Sequence, residues 1–392
     1  MLRKSLSTLL VILIFYSGYS QDKQLSSNAE ISIITAGPGK VLYEGFGHST
    51  IRVKDTDFDN AYNYGIFDFN TPDFYLNFTK GKLLYKLESY PFHYFVRSYQ
   101  RDNRWIKEQV LNLNQLEKQQ FYAYLENNAA PENATYLYDP FFNNCATILR
   151  EITETILKEK VIFKTNHIQK RKSFRELMNA EIPWNTWGSF GINLALGSKL
   201  DKIATEKEFM YLPDFVYSGF KNATVTTNGK EENLIKTDHY ILKFDELKIK
   251  PSTINPLLVF SLILLIGVFI TYRDLKQKKR TKWIDFFLFF TTGLIGLLIV
   301  FLWFFTDHST TPINFNFLWA FAPNLIVAFA LSKENTKKWV RKYVTGLILL
   351  LLSIPILWMS KIQQFPLSTI PFIVLLLIRF ISLQKFLLTS KE

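Results

Sequence analysis

The amino-acid sequence predicts an exported α+β domain followed by an all-α membrane domain with five spans. Residues 21–250 have the mixed composition of a soluble domain, whereas Leu, Ile and Phe dominate from residue 256 onwards in blocks separated by short polar stretches. Each block is near the length that crosses about 30 Å of hydrocarbon. The predicted divisions are a leader at 1–20, the exported domain at 21–250 and the membrane domain at 251–392, with spans at 256–272, 284–305, 317–332, 343–360 and 366–386.

The leader has the pattern of a secretory signal peptide. Arg3 and Lys4 precede an apolar core from Leu9 to Tyr16, and small residues precede a cleavage site at Gln21. The alternative is an uncleaved anchor helix, although the apolar core is shorter than the ~20 residues that a span requires. Both alternatives predict export of the domain that follows.

The loops between the predicted spans indicate the same orientation. Loops 273–282 and 333–342 contain six and five Lys or Arg residues, whereas 306–316 contains none and 360–365 contains only Lys361. Because short loops rich in Lys and Arg stay in the cytoplasm, the second pair lies outside with the exported domain. We therefore expect a bacterial inner-membrane protein with a periplasmic N-terminal domain and a cytoplasmic C-terminus. The basic loops account for much of the net charge of +12, which needs no nucleic-acid partner.

Local patterns predict the first elements of the exported domain. Runs of β-branched and aromatic residues bounded by Gly, Pro and Asp predict strands at 31–36, 49–53 and 61–67. Residues 111–128 predict an amphipathic helix with Asn114 as N-cap, and the spacing places Leu113, Leu116, Gln120, Tyr124 and Leu125 on one face. The third span contains Pro323 and Asn324, which a membrane helix tolerates only where neighbouring helices satisfy its polar groups.

Cys145 is the only cysteine, which excludes an intrachain disulfide and a zinc site built on several thiolates. No metal or cofactor is predicted. A helix is predicted to begin at Cys145, with Asn143 or Asn144 as N-cap. Unpaired N–H groups at a helix start lower the pKa of a thiol, and they can form an oxyanion hole. Cys145 is therefore a candidate nucleophile, and the alternative is a buried, inert cysteine.

A nucleophilic thiol needs a base, and His48 is the best-placed histidine. It follows Gly45 and Gly47 just before a predicted strand, so its ring can be presented at a strand edge. The alternative is a turn histidine with a satisfied hydrogen bond. The histidines without a partner motif are interpreted as surface or packing residues: His93, His167 and His239.

Other polar residues are candidates for orienting the imidazole and for contacting substrate. Asn63, on the strand after His48, is the candidate orienting group, with Asp68 behind it, and either can equally be a turn or cap residue. Polar residues at the membrane boundary can contact a lipid headgroup or can simply be solvated. The candidate substrate contacts are Asn144, Asp307, His308 and Asn316.

Taken together, these motifs resemble the Lnb-type lipoprotein N-acyltransferases. The motifs cover nearly the whole chain after the leader: GHSTIRV, YNYGIFDF, FYLNFTKGKLLYKLE, RWIKEQVLNLN, NNAAPENATYLYDPFFNNCAT, FRELM…PW…GINLALGSKLD and FTDHSTTPINFNFLWAFAPNL. The resemblance implies a permuted papain-like (NlpC/P60-like) thiol domain whose catalytic pair is His48 and Cys145. An Asp often precedes the Asn of the family's second motif, where this chain has Asn143, and this departure does not touch the nucleophile.

The resemblance implies acyl transfer in two steps at the outer leaflet of the inner membrane. Cys145 takes an acyl chain from a membrane phospholipid and passes it to the α-amino group of a diacylated lipoprotein. Two other classes stay open: a membrane-anchored cysteine peptidase or amidase acting on cell-wall peptide, and a non-enzymatic receptor or assembly factor with a structural thiol. Five spans favour a lipid substrate, because one or two suffice as an anchor.

Overall fold

The computed structural model describes residues 23–166, 168–246, 252–333 and 336–389. The predicted signal peptide, His167 and the predicted boundary near residue 250 lie outside them. Within the described residues, an α+β domain precedes an all-helical region, as the sequence predicts.

The α+β domain is built on antiparallel sheets. Its strands are β1 (Glu30–Ala36), β2 (His48–Lys54), β3 (Asp59–Ile66), β4 (Leu84–Pro91), β5 (Ile106–Leu111), β6 (Thr135–Leu137), β7 (Val161–Ile162), β8 (Thr224–Thr227), β9 (Lys230–Asn233) and β10 (Ile235–Leu242). The larger sheet has seven strands in the order β10-β5-β1-β2-β3-β4-β6, and the smaller joins β7, β8 and β9. The predicted strands correspond to β1, β2 and β3. These three strands are adjacent, so residues from successive strands meet on one sheet.

Helices cover both faces of the larger sheet. The helices of this domain are α1 (Phe74–Lys80), α2 (Phe92–Arg101), α3 (Gln115–Ala129), α4 (Cys145–Leu157), α5 (Phe174–Glu181), α6 (Trp187–Ala195) and α7 (Pro213–Asn222). On one face, Phe121 of α3 and Leu149 of α4 share a core with Ile33 and Tyr62. On the other face, α2 contributes Phe95 to a second core. Each fully buried side chain of this size contributes roughly 1.5–3 kcal/mol.

Helix α3 begins as predicted but turns a different face to the sheet. Asn114 is its N-cap, in a capping box with Glu117. The predicted apolar face is right at Leu125, which is buried, and wrong at Leu116, which is 68% exposed, while Phe121, outside the predicted face, is fully buried. The reason is that Leu113 precedes the helix, in the segment after β5, so a face counted from Leu113 is rotated by about one residue.

The helical region contains α8 (Pro256–Gln277), α9 (Lys282–Phe304), α10 (Asn324–Ser332), α11 (Lys338–Met359) and α12 (Ile370–Thr389). Among the described residues, four helices are long and apolar enough to cross a membrane, and they correspond to α8, α9, α11 and α12. They match four of the predicted spans.

The third predicted span is only half helical. Residues Phe315–Leu318 form a 3-10 turn, and α10 has nine residues, which extend about 13 Å. The segment nevertheless runs antiparallel along the whole of α9. Thr311 donates to the Leu302 carbonyl near the end of α9, and Arg280, just before α9 begins, donates to the Leu331 carbonyl.

The polar residue in this broken segment is satisfied by its neighbours, as the sequence requires. The Asn324 amide donates to Thr292 of α9 at 3.0 Å, and Tyr343 of α11 donates to its carbonyl oxygen. Gly293 and Gly296 of α9 allow the close approach, since a Cβ on either would lie about 2.1 Å from the backbone of the segment. Non-helical backbone is thus enclosed by protein, where its groups find partners.

A buried ion-pair network joins three of the long helices. Arg379 of α12 donates to Asp285 of α9 at 2.6 Å and to Asp274 of α8 at 2.9 Å. Arg280 also donates to Asp285, at 2.8 Å. Arg379, Asp274 and Asp285 are each at most 1% exposed. The network lies where α8 ends and α9 begins, beside the basic loop predicted to be cytoplasmic.

The outer loop of the helical region docks on the α+β domain. Asn314 donates to the carbonyls of Leu194 and Ala195, and Asn316 donates to those of Asn193 and Leu194. These carbonyls belong to the last turn of α6, where intrahelical donors are missing. The loop therefore supplies the C-cap of a helix in the other domain.

Candidate active site

Cys145 is the first residue of α4. Asn144 is the N-cap, and its side-chain oxygen accepts from the N–H groups of Ala146 and Thr147, both at 2.9 Å. Its amide donates to the Pro140 and Tyr211 carbonyls. The N-terminus of α4 is thereby fixed, with the thiol where the helix dipole favours a negative charge.

His48 is the first residue of β2. Gly47 before it has a φ of +72°, a conformation that L side chains rarely adopt, and a Cβ there would lie 2.8 Å from the Ala36 carbonyl oxygen. This turn directs the chain into the strand that pairs with β1 along its whole length. The predicted requirement for glycine next to His48 is therefore met at Gly47.

The structure brings Cys145, His48 and Asn63 together. The thiol and the imidazole lie close enough for each to shift the pKa of the other. His48 Nε2 lies 2.6 Å from Asn63 Oδ1, and the Asn63 amide donates to the Tyr90 hydroxyl at 2.7 Å. With Nε2 on Asn63, Nδ1 is the ring nitrogen left for the thiol. The arrangement is that of a Cys-His-Asn triad.

Electrostatics favour the charged form of the pair. Burial alone raises the pKa of the Cys145 thiol, but the charge of His48, its hydrogen bond, and the N–H groups of Ser49 and of Cys145 itself outweigh burial, so the pKa is lowered. Burial alone lowers the pKa of His48, but the thiolate charge and the hydrogen bonds to Cys145 and Asn63 raise it overall. Both shifts favour a thiolate beside an imidazolium, which is the charge state that a nucleophilic cysteine requires.

The pH dependence of thiol alkylation tests this pairing. We expect iodoacetamide to alkylate Cys145 rapidly at pH values where an ordinary thiol, with a pKa of about 8.5, is protonated. The rate falls only as the pH drops through the lowered pKa of Cys145. In His48→Ala the stabilising charge is lost while burial remains, so the inflection moves to higher pH. Mass spectrometry of alkylation against pH measures it, and a His48→Ala profile that overlays the wild-type profile contradicts the pairing.

Few of the N–H groups at this helix start are free for an oxyanion. The sequence predicts an oxyanion hole from several of them, but Asn144 occupies those of Ala146 and Thr147. The N–H of Cys145 itself remains, directed at the sulfur. When an acyl group is bonded to the sulfur in a tetrahedral intermediate, its oxyanion therefore has one backbone donor from α4.

Two tyrosines form the wall beside the thiol. A Cβ placed on Gly65 would lie 3.6 Å from the Tyr138 ring, 3.8 Å from the Cys145 Cβ and 4.0 Å from the Tyr136 hydroxyl, so these groups surround one point. The Tyr136 hydroxyl is buried and has no hydrogen-bond partner among the described residues. Burial and the charge of Cys145 raise the pKa of Tyr136, so the hydroxyl keeps its proton and can donate.

Two models of the same family match the chain, one over each half. The model of the Lnb N-terminal periplasmic domain matches residues 17–187, and that of the Lnb transmembrane domain matches residues 248–391. The chain belongs to the Lnb family. No curated protein and no solved structure matches it significantly. Membership makes this Lnb-family protein an inner-membrane protein with a periplasmic N-terminal domain, and it indicates an enzyme of the acyltransferase kind.

Two of the predicted substrate contacts are structural in this Lnb-family protein. Asn144 uses both ends of its amide in capping α4, as described above. Asn316 is fully buried, donates to α6 carbonyls and accepts from Trp319 at 3.0 Å. Neither side chain has an atom left for substrate, so these predictions are corrected. Both are amides at a helix end or a domain junction, where backbone groups need partners.

The other two predicted contacts lie at the junction between the domains. The backbone N–H of Asp307 donates to the Lys80 carbonyl at the end of α1, and its side chain is exposed. His308 is half-buried, and its ring lies 6.4 Å from that of Phe78. Burial lowers the pKa of His308, although backbone carbonyls of Phe78 and Thr79 partly offset this effect. A substrate role for Asp307 and His308 stays a prediction.

The remaining candidates lie away from the thiol. His93 and His239 are exposed, and Asp68 accepts from the N–H of Asn70 in an exposed turn. The sequence reasoning did not identify Tyr90 or the two wall tyrosines. It also missed Ser309 of the outer loop, which donates to Asp139 in the loop before Cys145. The YLYDP motif contains Tyr136, Tyr138 and Asp139, and its closeness to Cys145 in sequence was the available signal.

Proposed function

We propose that this Lnb-family protein is a lipoprotein N-acyltransferase. It moves an acyl chain from a membrane phospholipid, through a thioester on Cys145, to the α-amino group of a diacylglyceryl-cysteine lipoprotein. The observation that carries the proposal is the cluster of Cys145, His48 and Asn63, in which His48 is hydrogen-bonded to Asn63, held beside the outer loop of a membrane domain. A thiol beside that loop is close to the membrane surface, and both proposed substrates reside in the bilayer.

The first step forms the thioester. The Cys145 thiolate attacks the ester carbonyl carbon of the phospholipid, and the carbonyl oxygen becomes an oxyanion that the Cys145 N–H binds. The bond from the carbonyl carbon to the glycerol oxygen then breaks. The His48 imidazolium, which holds the former thiol proton, gives this proton to the leaving alkoxide. The products are an acylated Cys145, a neutral imidazole and a lysophospholipid.

The second step transfers the acyl chain to the lipoprotein. The neutral α-amino group of the diacylated cysteine attacks the thioester carbonyl, and His48 takes a proton from that nitrogen. The carbon–sulfur bond breaks, which leaves an amide and restores the thiolate–imidazolium pair. Asn63 accepts from the imidazole in both steps and keeps the ring in place.

Mass spectrometry of lipoprotein N-terminal peptides tests the reaction. We expect peptides from cells that contain this protein to carry an N-acyl chain, and peptides from deletion cells to carry a free α-amine. Restoring the gene restores the acyl chain. If N-acylation persists in a deletion strain that has no second copy, or if purified protein with phospholipid and diacylated peptide yields only free fatty acid, the proposal fails.

Tyr136 is the second oxyanion donor in this scheme. Its buried, unpartnered hydroxyl beside the thiol is placed to donate to the oxyanion. We expect Tyr136→Phe to lower the rate of thioester formation by about 10- to 100-fold, in line with a hydrogen bond to a charged group of ~1.5–3 kcal/mol. Its effect should fall on kcat more than on KM.

The matched control is Tyr94→Phe, which removes the hydroxyl of a tyrosine that is 55% exposed on α2. Iodoacetamide alkylation of Cys145 in Tyr136→Phe reports whether the thiol itself is intact. Unchanged kcat in Tyr136→Phe excludes the hydroxyl as a donor.

A further inference from the structure

Helix α1 and its flanks expose an apolar surface. Its members are Phe69, Tyr75, Leu76, Phe78 and Leu84, which are 47%, 68%, 50%, 48% and 59% exposed. We call this set the α1 patch. Single exposed apolar residues are ordinary on a soluble domain, but a cluster marks an interaction surface.

Hydrogen bonds place the α1 patch at the level where α9 ends. The Asp307 N–H donates to the Lys80 carbonyl at 2.7 Å, and a Cβ on Gly81 would lie 2.5 Å from the His308 nitrogen. Asp307 comes three residues after the last residue of α9. The final apolar residues there, Phe304 and Phe305, are 65% and 69% exposed. The α1 patch therefore adjoins the lipid-facing end of a membrane-spanning helix.

The charges beside the α1 patch suit a phospholipid surface. Lys80 and Lys82 are exposed at the end of α1. Apolar side chains next to exposed lysines are typical of helices that lie in the membrane interface, where the lysines meet headgroup phosphates. Each lysine near an anionic surface contributes about 1 kcal/mol.

An apolar surface runs along α9 towards the α1 patch. It ends at Phe305, two residues before Asp307, which contacts α1. Only apolar residues form it: Leu294, Ile295, Leu297, Leu298, Val300, Phe301 and Phe305. An acyl chain fits a surface of this chemistry.

A row of aromatic rings connects the α1 patch with the thiol. Phe67 stacks on Phe74 of α1, with ring centroids 5.8 Å apart, and on Tyr85 at 4.8 Å. Tyr85 stacks on Tyr138 at 4.5 Å. Tyr138 forms the wall beside Cys145, as described above. The row gives a continuous series of ring contacts from α1 to the residue beside Cys145, and Tyr85 in its middle is buried.

We propose that the α1 patch inserts into the outer leaflet of the bilayer and that the row Phe67, Tyr85 and Tyr138 guides the ester end of a phospholipid to Cys145. The occupant of the patch is the phospholipid monolayer around α9. The insertion is independent of the reaction, whereas the guiding of the ester rests on the proposed acyl transfer.

Spin labelling tests the insertion without any reaction. Because Cys145 is the only cysteine, a Cys145→Ser background allows one nitroxide at a time to be attached after Leu76→Cys or Phe78→Cys. The full chain is placed in vesicles of phosphatidylethanolamine and phosphatidylglycerol. The matched control is Leu116→Cys, since Leu116 is 68% exposed on α3. We expect labels at 76 and 78 to be relaxed more by oxygen than by an aqueous nickel chelate, and the label at 116 to show the reverse. Chelate access at 76 and 78 equal to that at 116 overturns the insertion.

Negative charges introduced into the α1 patch test the guiding of the lipid. We expect Leu76→Asp with Phe78→Asp, in the chain with Cys145 intact, to lower acylation of Cys145 from vesicles by at least ~10-fold. We expect alkylation of Cys145 by iodoacetamide to stay unchanged in this variant, which would show that the domain is folded and the thiol reactive. Leu116→Asp is the control for added charge. Unchanged acylation from vesicles in the variant overturns the guiding. If the wild-type protein itself is not acylated on Cys145 from vesicles, the proposed function fails and the spin-label result stands.

Discussion

Cys145→Ala is expected to reduce N-acylation of lipoproteins to the level of deletion cells. Without the sulfur no thioester forms, and no other thiol is present in the chain to replace it. His48→Ala is expected to lower the rate by about 10²- to 10⁴-fold, which is the usual contribution of a positioned general base. The measurement is the fraction of N-acylated lipoprotein peptide, together with trapping of an acyl adduct on Cys145.

The matched control for the base is His93→Ala, because His93 is an exposed histidine on α2. This variant should acylate lipoproteins at the wild-type rate. Near-equal activity of Cys145→Ser and the wild type would contradict thiol catalysis and favour a structural role for the residue. Equal thermal unfolding of all four variants separates a chemical defect from a folding defect.

Arg379→Met is expected to cause the largest loss of stability, about 3–5 kcal/mol. It removes the cation between Asp274 and Asp285, and breaking a buried pair leaves uncompensated buried charge. Arg280 still pairs with Asp285 at 2.8 Å, whereas among the described residues Asp274 keeps only the longer ion pair with Arg273, at 3.8 Å, so the cost falls mainly on Asp274. Unfolding by sodium dodecyl sulfate in mixed micelles measures the change in free energy.

Neutralising the partners should reverse much of this loss. We expect Arg379→Met combined with Asp274→Asn to be more stable than Arg379→Met alone, since no unpaired carboxylate remains at that position. Lys338→Ala is the control, because Lys338 is an exposed cation on α11. A free energy of unfolding for Arg379→Met within about 0.5 kcal/mol of the wild type would mean that the network does not hold the helices together.

Local sequence signals were sufficient to predict the strand that begins at His48 and the helix that begins at Cys145. The glycines before His48, the cap before Cys145 and the β-branched runs predict the elements that carry these residues, and the structure puts both residues in those places. Asn63 meets His48 because β2 and β3 are neighbours in the sheet. Strands that are adjacent in sequence often pair, so this contact could be predicted from the sequence.

Contacts that depend on long-range packing were not predictable. Tyr90 reaches Asn63 because β4 pairs with β3 in a register with an irregularity after Asn63. Ser309 reaches Asp139 across 170 residues. Asn144 and Asn316 were predicted to bind substrate because an exposed amide and a capping amide look the same in a sequence. Which one is present depends on the backbone groups that the fold places nearby.

The capping of α6 by Asn314 and Asn316 has a consequence for biogenesis. The ribosome delivers α6 more than a hundred residues before the loop that caps it. The last turn of α6 therefore stays without its partners until α9 has been inserted and that loop has been translocated. The same loop supplies Ser309 to the segment in front of Cys145. We therefore expect the segment in front of Cys145 to gain these contacts only after membrane insertion, and a fragment cut between the two halves to lack them.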